Sequence, residues 1–353
     1  MCHQLKDGEM ETSMIYPYSI SIDITYRCNF RCLHCYNCSG TVPRPELNDE
    51  QLSTVVKDLV RLKPHTLCFC GGETLLRKDI MFKLSKICKE ISPVTSFNCV
   101  TNGYLLDEEV ANEIEQAKMT LVQISLDGAN ANTHDWLRNK PGSFNRALNA
   151  LSLLHERNIQ TAVSFIPNRR NKNQVIEVAD ICERLGVSTL RVQPLMLLGR
   201  AKLNMSDEEL TWEEYKNFYK HLETRKIENF KKGKMVIEIG DPIDHLLTTD
   251  YANNPYLPVN ANGDIQISPY LPITVGNLLV APIAQYYNRG LTEVWKNELV
   301  EFLAKNIYSP QKMDLSDRFS VPNITEKPIT FNMLDEDFEE QTKEVLCQLK
   351  NKK

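Results

Sequence analysis

Three cysteines carry the sharpest chemistry in this chain. In Asp23-Ile-Thr-Tyr-Arg-Cys28-Asn-Phe-Arg-Cys32-Leu-His-Cys35-Tyr36, three residues separate the first pair and two the second. That spacing, on a loop just after an apparent strand, is too tight for a disulfide framework. Three thiolates can converge from such a loop on one metal centre. In a cube of four irons, three thiolate ligands leave the fourth iron open to a further ligand. Two plainer readings stand beside this one. Cys38 or His34 could complete a closed zinc site, or the thiols could be small buried hydrophobes.

The remaining thiols favour metal over disulfides. The chain of 353 residues has eleven cysteines, an odd number, and no apolar core near its start of the kind a secretory signal needs. Ten lie before residue 183 and the last is Cys347, so the second half is almost barren. A formal net charge of -5 argues against nucleic acid as the main partner. No apolar run approaches bilayer length. The expectation is a soluble, cytoplasmic protein with no membrane or nucleic-acid partner, large enough for one α/β domain plus a smaller attachment.

The elements that must position these thiols follow a simple alternation. Apolar runs of strand length occur at Ser19–Thr25, Thr66–Cys70, Ser96–Val100, Leu121–Leu126, Thr161–Ile166 and Thr189–Gln193. Helical patterns lie between them at Asp49–Leu62, Lys78–Ile91, Asp107–Ala117, Ser143–Arg157 and Asn173–Leu185. Asp107 and Ser143 read as helix caps, and Gly186 as a C-cap glycine. Alternating strand and helix implies a parallel sheet with right-handed crossovers, with chemistry at the C-terminal strand ends. The cysteine loop follows the first strand and Gly71-Gly72-Glu73 the second. Thr101-Asn102-Gly103 follows the third, Ser125-Leu126-Asp127-Gly128 ends the fourth, Pro167-Asn168 follows the fifth, and Gln193-Pro194 ends the sixth. Ordinary turn chemistry would explain one such loop, but not a ring of them facing a cysteine triad.

With these residues in order, residues 19–200 resemble the radical S-adenosylmethionine superfamily. The resemblance rests on Cys28, Cys32, Cys35 and the aromatic Tyr36, then on the Gly71, Asn102 and Ser125 segments. It extends to His134-Asp135-Trp-Leu-Arg138 followed by Gly142-Ser143-Phe144. It implies an α/β fold, a partial (β/α)6 TIM-like barrel, with a [4Fe–4S] cluster on Cys28, Cys32 and Cys35. The open iron would chelate S-adenosylmethionine, and a 5'-deoxyadenosyl radical would abstract a substrate hydrogen. On the same resemblance, Gly71, Gly72 and Glu73 would receive the methionine amino group. Asn102, Ser125 and Asp127 would lie near ribose and methionine, and Arg138 would meet the carboxylate unless it is a solvated helix-end arginine. Tyr36 and Gln193 would flank the adenine. Thr74 departs from the proline usual after Gly-Gly-Glu. Cys68, Cys70 and Cys99 read as core thiols.

The rest divides into an N-terminal segment (1–18), a helical connector (201–250), an extension (251–310) and a tail (311–353). With 18 residues before the first strand, a separate leader-binding domain in front is not expected. Leu198-Gly199-Arg200-Ala201 resembles a turn of members with a C-terminal extension, where Arg200 would touch cofactor or substrate or cap the sheet. Ser206–Phe230 reads as a charged helix opened by Ser206 or Thr211, Met235–Ile239 as a strand, and Asn262-Gly263 as a hairpin turn. Residues 251–310 resemble the α+β SPASM or twitch extension, yet no cysteine lies between Cys182 and Cys347, and Ser268 stands where a ligand would be. An extension without auxiliary clusters is expected. The tail, with Pro322 and Pro328, should end in a helix near Glu336–Leu349. The implied activity is on a ribosomally made peptide, with a flavodoxin- or ferredoxin-type donor. A small metabolite such as a sugar nucleotide or porphyrin precursor is the alternative substrate, and a zinc-stabilised binding protein the third reading.

Overall fold

In β-strands at the heart of the sheet two kinds of residue alternate, and that alternation builds the architecture. In the computed structural model, residues 17–41, 43–240, 256–306 and 329–351 are described. The N-terminal segment up to residue 16, the end of the connector and the first part of the tail, with Pro322 and Pro328, lie outside them. Seven parallel strands run β1 (Ser19–Asp23), β2 (Thr66–Cys70), β3 (Ser96–Thr101), β4 (Leu121–Ser125), β5 (Gln160–Phe165), β6 (Thr189–Val192) and β7 (Val236–Ile239), each beside the next. Ile20 and Ile22, Leu67 and Phe69, Val122 and Ile124, and Leu190 and Val192 are fully buried on the outer face. There they meet α1 (Asp49–Arg61), α2 (Lys78–Ile91), α3 (Glu108–Gln116), α5 (Ser143–Glu156) and α6 (Val175–Arg184). The intervening residues, among them Ser21, Asp23, Cys68, Cys70, Asn98, Gln123 and Ser125, fall on the concave face.

The strands and helices read from the alternation occur within about two residues of the expected bounds. Asp107 accepts a hydrogen bond from Val110 N at 3.0 Å and caps α3. At the end of α6, Gly186 (φ +67°) donates to Glu183 O and Val187 to Cys182 O, which is a Schellman close. Two caps differ from expectation. Gly142 (φ +79°), not Ser143, is the N-cap of α5; Ser143 Oγ instead donates to Asp135 Oδ1 at 2.8 Å. Ser206 starts a one-turn 3-10 segment, and Thr211 opens α8 (Trp212–Lys231). The motif at His134–Arg138 forms a helix of its own, α4 (Ala131–Arg138), and a short α7 (Arg200–Asn204) follows β6.

Thr211 and Glu214 form a reciprocal capping box at the start of α8. Thr211→Ala is therefore expected to lower unfolding free energy by about 1 kcal/mol in urea denaturation. Hydrogen bonds from Lys172 Nζ, at 2.6 Å, and Thr211 N hold the Glu214 carboxyl down at about 2. Its stabilising share is complete above pH 4.5 and is lost as pH falls towards 2. Glu214→Gln should flatten that part of an acid titration of stability.

The extension continues the same sheet rather than standing beside it. β8 (Tyr256–Val259) lies parallel to β1, pairing Tyr256 with Ser19. β9 (Asp264–Gln266) runs antiparallel to β8, β10 (Ile273–Asn277) antiparallel to β9, and β11 (Ile329–Thr330) parallel to β10. The Asn-Gly signal is the turn between β8 and β9, with Gly263 at φ +88°. Helices α9 (Ile283–Asn288), α10 (Glu298–Asn306) and α11 (Phe338–Lys350) cover this part around Tyr286, Trp295 and Leu303. A Cβ at Gly276 would stand 2.2 Å from the Tyr286 ring, so glycine lets that ring close the layer. Among the described residues no helix is long and apolar enough to cross a membrane.

Candidate functional site

The loop after β1 is held by its own backbone and by two distant segments. Thr25 Oγ1 donates to Glu46 and Tyr26 N donates to Glu46 Oε1 at 2.6 Å, fixing the loop's entry. Gly40 N donates to Tyr26 O at 2.8 Å and closes it. The Gly-Gly-Glu turn docks from β2, with Gly72 N on Thr25 O at 2.8 Å and Glu73 N on Arg27 O at 2.9 Å. A Cβ on Gly72 would lie 2.1 Å from Arg27 O, so that approach requires glycine. The second clamp comes from the start of α7. Arg200 N donates to Cys35 O, its Nε to Cys32 O and its Nη1 to Ser39 O, at 2.9, 3.0 and 3.0 Å. Arg200 is 9 % exposed, so it satisfies loop carbonyls rather than solvent. Gly199 (φ +56°) permits this, since its Cβ would lie 2.1 Å from Tyr36 O.

Together these segments shape a cavity of about 360 Å3, open on one side, at the C-terminal strand ends. Cys28, Cys32, Cys35, Tyr36, Gly71, Gly72, Asn102, Ser125, Arg138 and Gln193 all line it, ten of the twelve residues read from sequence. Glu73 and Asp127 do not line it; they are 1 % and 0 % exposed. The Glu73 carboxylate accepts from Thr101 Oγ1 at 2.6 Å, Leu75 N at 3.0 Å and Asn102 N at 2.8 Å. Both its oxygens are therefore engaged with the protein, and it fixes Asn102 from behind. Burial pushes its carboxyl up, against those hydrogen bonds.

Asp127 sits under the cysteine loop in the same manner. Its Oδ1 accepts from Ile166 N at 2.9 Å and its Oδ2 is 2.5 Å from Arg138 Nη2. Burial, the largest single influence, raises this carboxyl; the Arg138 charge, joined by His34, His134 and the Ile166 amide, outweighs it and holds the carboxyl below the usual range. Arg138, 8 % exposed, also places Nη1 3.9 Å from Cys32 Sγ, so it is not a solvated helix-end arginine. His34 and His134 flank the pair. Burial first, and the Arg138 charge second, push both imidazoles down to about 4. They are neutral at pH 7, and His134 Nδ1 accepts from Asp127 N at 3.1 Å.

The donor set decides which metal group the site suits. Burial pushes the Cys28 thiol up to about 12 and Cys32 up as well, so thiolates form there only beside a positive partner, which a metal centre supplies. Among the described residues no three His, Cys, Asp or Glu side chains converge on a point that one ion could fill. A closed zinc site needs such a point. A four-iron cube takes one thiolate on each of three irons, so its ligands stand around a space, as these three do around the cavity.

Some of the wall was not read from sequence as part of the site. Cys70 lines the cavity, with its Sγ 3.5 Å from that of Cys68. Since Leu67 and Phe69 take the outer face, period-2 alternation sends Cys68 and Cys70 to the concave one, a signal available in the sequence. Cys99 is fully buried, as read. Tyr256, Pro269 and Tyr270 reach the cavity from the extension. Ser268 is fully buried and accepts from Tyr270 N at 3.3 Å, so it shapes that wall.

Comparison with known proteins follows this geometry. Residues 22–185 match the model of the Radical SAM superfamily. The chain is 32% identical over 239 residues to mycofactocin maturase MftC of Mycolicibacterium smegmatis, covering 67% of this chain and 58% of that one. It is 28% identical over 236 residues to Fe-coproporphyrin III synthase of Methanosarcina barkeri, covering 67% and 56%. The chain thus spans a little under three fifths of the length of these curated relatives. Its fold matches Streptococcus suis SuiB bound to S-adenosylmethionine with a TM-score of 0.66 at 11% identity, over 92% of this chain and 77% of that one.

Proposed function

Residues 22–185 belong to the Radical SAM superfamily, and from that membership we propose an enzyme that draws on S-adenosylmethionine to take a hydrogen atom from a peptide substrate. The superfamily's cofactors are a [4Fe–4S] cluster and S-adenosylmethionine. The observation that carries the reading is the cavity itself, in which three loop thiols share walls with the Gly71-Gly72 turn, Asn102, Ser125, Arg138 and Gln193. Cys28, Cys32 and Cys35 would hold the cluster. When bound, that cluster supplies the electron that cleaves S-adenosylmethionine to methionine and a 5'-deoxyadenosyl radical.

The chain's own residues do the positioning. The Gly71 and Gly72 backbone, fixed by its hydrogen bonds to the cysteine loop, meets the methionine end. Asn102 and Ser125 face the ribose, Arg138 offers its charge to a carboxylate, and Tyr36 and Gln193 bracket the adenine. Glu73 and Asp127 act through others, by fixing Asn102 and Arg138. Walls from both halves of the chain exclude water from the reacting centre. The extension supplies Tyr256, Pro269 and Tyr270 as substrate-side wall, in place of auxiliary clusters. The odd set of thiols suits a reducing cytoplasm, with a flavodoxin- or ferredoxin-type protein as electron donor.

The peptide reading draws on the kinship with a maturase, and a tetrapyrrole-type metabolite is its rival through the second relative. The test starts with iron, sulfide and zinc counts on anaerobically reconstituted protein. About four irons per chain are expected, with 5'-deoxyadenosine formed when reductant and S-adenosylmethionine are added. About one zinc without iron would overturn the proposal. Deuterium passing from a labelled peptide into 5'-deoxyadenosine supports the peptide; transfer from a labelled porphyrin precursor alone moves the assignment to the metabolite.

A further inference from the structure

The cofactor cavity has an arm of about 190 Å3 that shares Tyr36, Asn37, Cys70, Tyr256 and Pro269 with it. It runs between the concave end of β1 and the β8–β9 turn. Its volume lies below the roughly 300 Å3 at which drug-sized sites begin. Such a size suits a single amino-acid side chain better than a tetrapyrrole.

Three charged residues line the arm among the described residues: Asp23, Asp264 and Arg44. Arg44 is already engaged. Its guanidinium lies 3.6 Å above the Tyr26 ring and donates to Asn37 O at 3.1 Å and to Asn37 Oδ1 at 3.4 Å. Among the described residues Asp23 has one hydrogen bond, from Asn37 Nδ2 at 3.2 Å, and no ion pair within 4 Å. Asp264 stands on the opposite wall, accepting from Asn262 and Asn277 amides at 2.6 and 2.8 Å. Tyr26, Tyr36 and Tyr256 line the walls between, and aromatic rings favour a nearby cation. Two acids against one committed arginine leave the arm short of positive charge.

We propose that this arm is the side-chain pocket of the substrate, and that it takes a protonated amine or guanidinium, as of lysine or arginine, against Asp23. The inference rests on the peptide reading above and narrows it to a residue class. Burial pushes the Asp23 carboxyl up to about 7 in spite of Arg44 and Asn37, as expected of an acid whose counter-ion arrives with the ligand.

Cys70, on the wall between cavity and arm, gives a test that needs no substrate. Cluster-loaded protein is exposed anaerobically to a cationic methanethiosulfonate (trimethylammonium ethyl) or an anionic one (sulfonatoethyl). Modification of the peptide holding Cys68 and Cys70 is timed by mass spectrometry, each rate divided by that reagent's rate on 2-mercaptoethanol. The cationic reagent should be favoured about tenfold or more, the order expected for one nearby charge. Asp23→Asn should bring the ratio near one, and Arg44→Gln should raise it above that of the unaltered protein. A ratio near or below one in the unaltered protein, a ratio unchanged in Asp23→Asn, or thiols that neither reagent reaches would each overturn the pocket. 5'-Deoxyadenosine formation on the same preparation separates the two claims, since its absence defeats the radical reading without touching the charge preference.

Discussion

Cys32→Ala should leave a folded protein with well under one iron per chain after reconstitution, where the unaltered chain holds about four. 5'-Deoxyadenosine formation should fall by about a thousandfold or more, a loss of about 4 kcal/mol in barrier lowering. Cys28→Ala and Cys35→Ala should behave alike, whereas Cys38→Ala and Cys70→Ala should retain the iron. The contrast matters because all five thiols are partly or fully buried, and Cys70 lines the same cavity as the triad. If removing Cys38 strips the iron as completely as removing Cys32, the ligand set is not the one assigned. Cys32 is the most informative position. It is buried, its carbonyl is held by Arg200, and its thiol lies against Arg138.

Removing the carboxylate of Asp127 should have the largest effect on stability. Asp127→Ala leaves the Arg138 guanidinium buried without its counter-charge, an arrangement that costs about 3–5 kcal/mol. Denaturation of the cluster-free protein is the measurement, since Arg138 also belongs to the proposed cofactor site and activity would confound the two effects. Replacing both partners with apolar side chains, Asp127→Leu with Arg138→Met, should recover much of the loss. Near-full stability of Asp127→Ala would show that the pair contributes little. The pH dependence has a definite sign. The folded carboxyl titrates below its ordinary value of 3.8, so the pair's contribution is present above about pH 4 and is lost as pH falls below it.

Much of the barrel was legible because its strands obey one local rule. In Thr66-Leu-Cys-Phe-Cys70, alternate residues go to opposite faces, and helices between such runs dictate parallel neighbours. The same rule, applied to the side chains, would also have assigned Cys68 and Cys70 to the lumen. Helix α4 was missed because its residues, Ala131–Arg138, are mostly polar and bury just His134, Leu137 and Arg138. Glu73 illustrates a different limit. A carboxylate beside two glycines suits an ammonium ion, but Thr101 and Asn102, 28 and 29 residues further on, take both its oxygens. Tyr256 could not be assigned to the cavity at all, because nothing in a strand's composition names its partner.

That last pairing sets the order in which the molecule can be completed. The hydrogen bond between Ser21 and Tyr256, 2.6 Å long, joins residues 235 apart in the chain. Closing so long a loop carries an entropic cost of about 5 kcal/mol, met when the whole extension docks on the edge of β1. At ribosomal rates of about 5–20 residues per second, roughly 10–50 seconds separate the synthesis of these two residues. Throughout that interval the thiol loop exists while its far wall does not. The nascent barrel therefore offers iron and sulfide a wider approach than the finished protein does, and that edge of β1 stays unpaired for the same time.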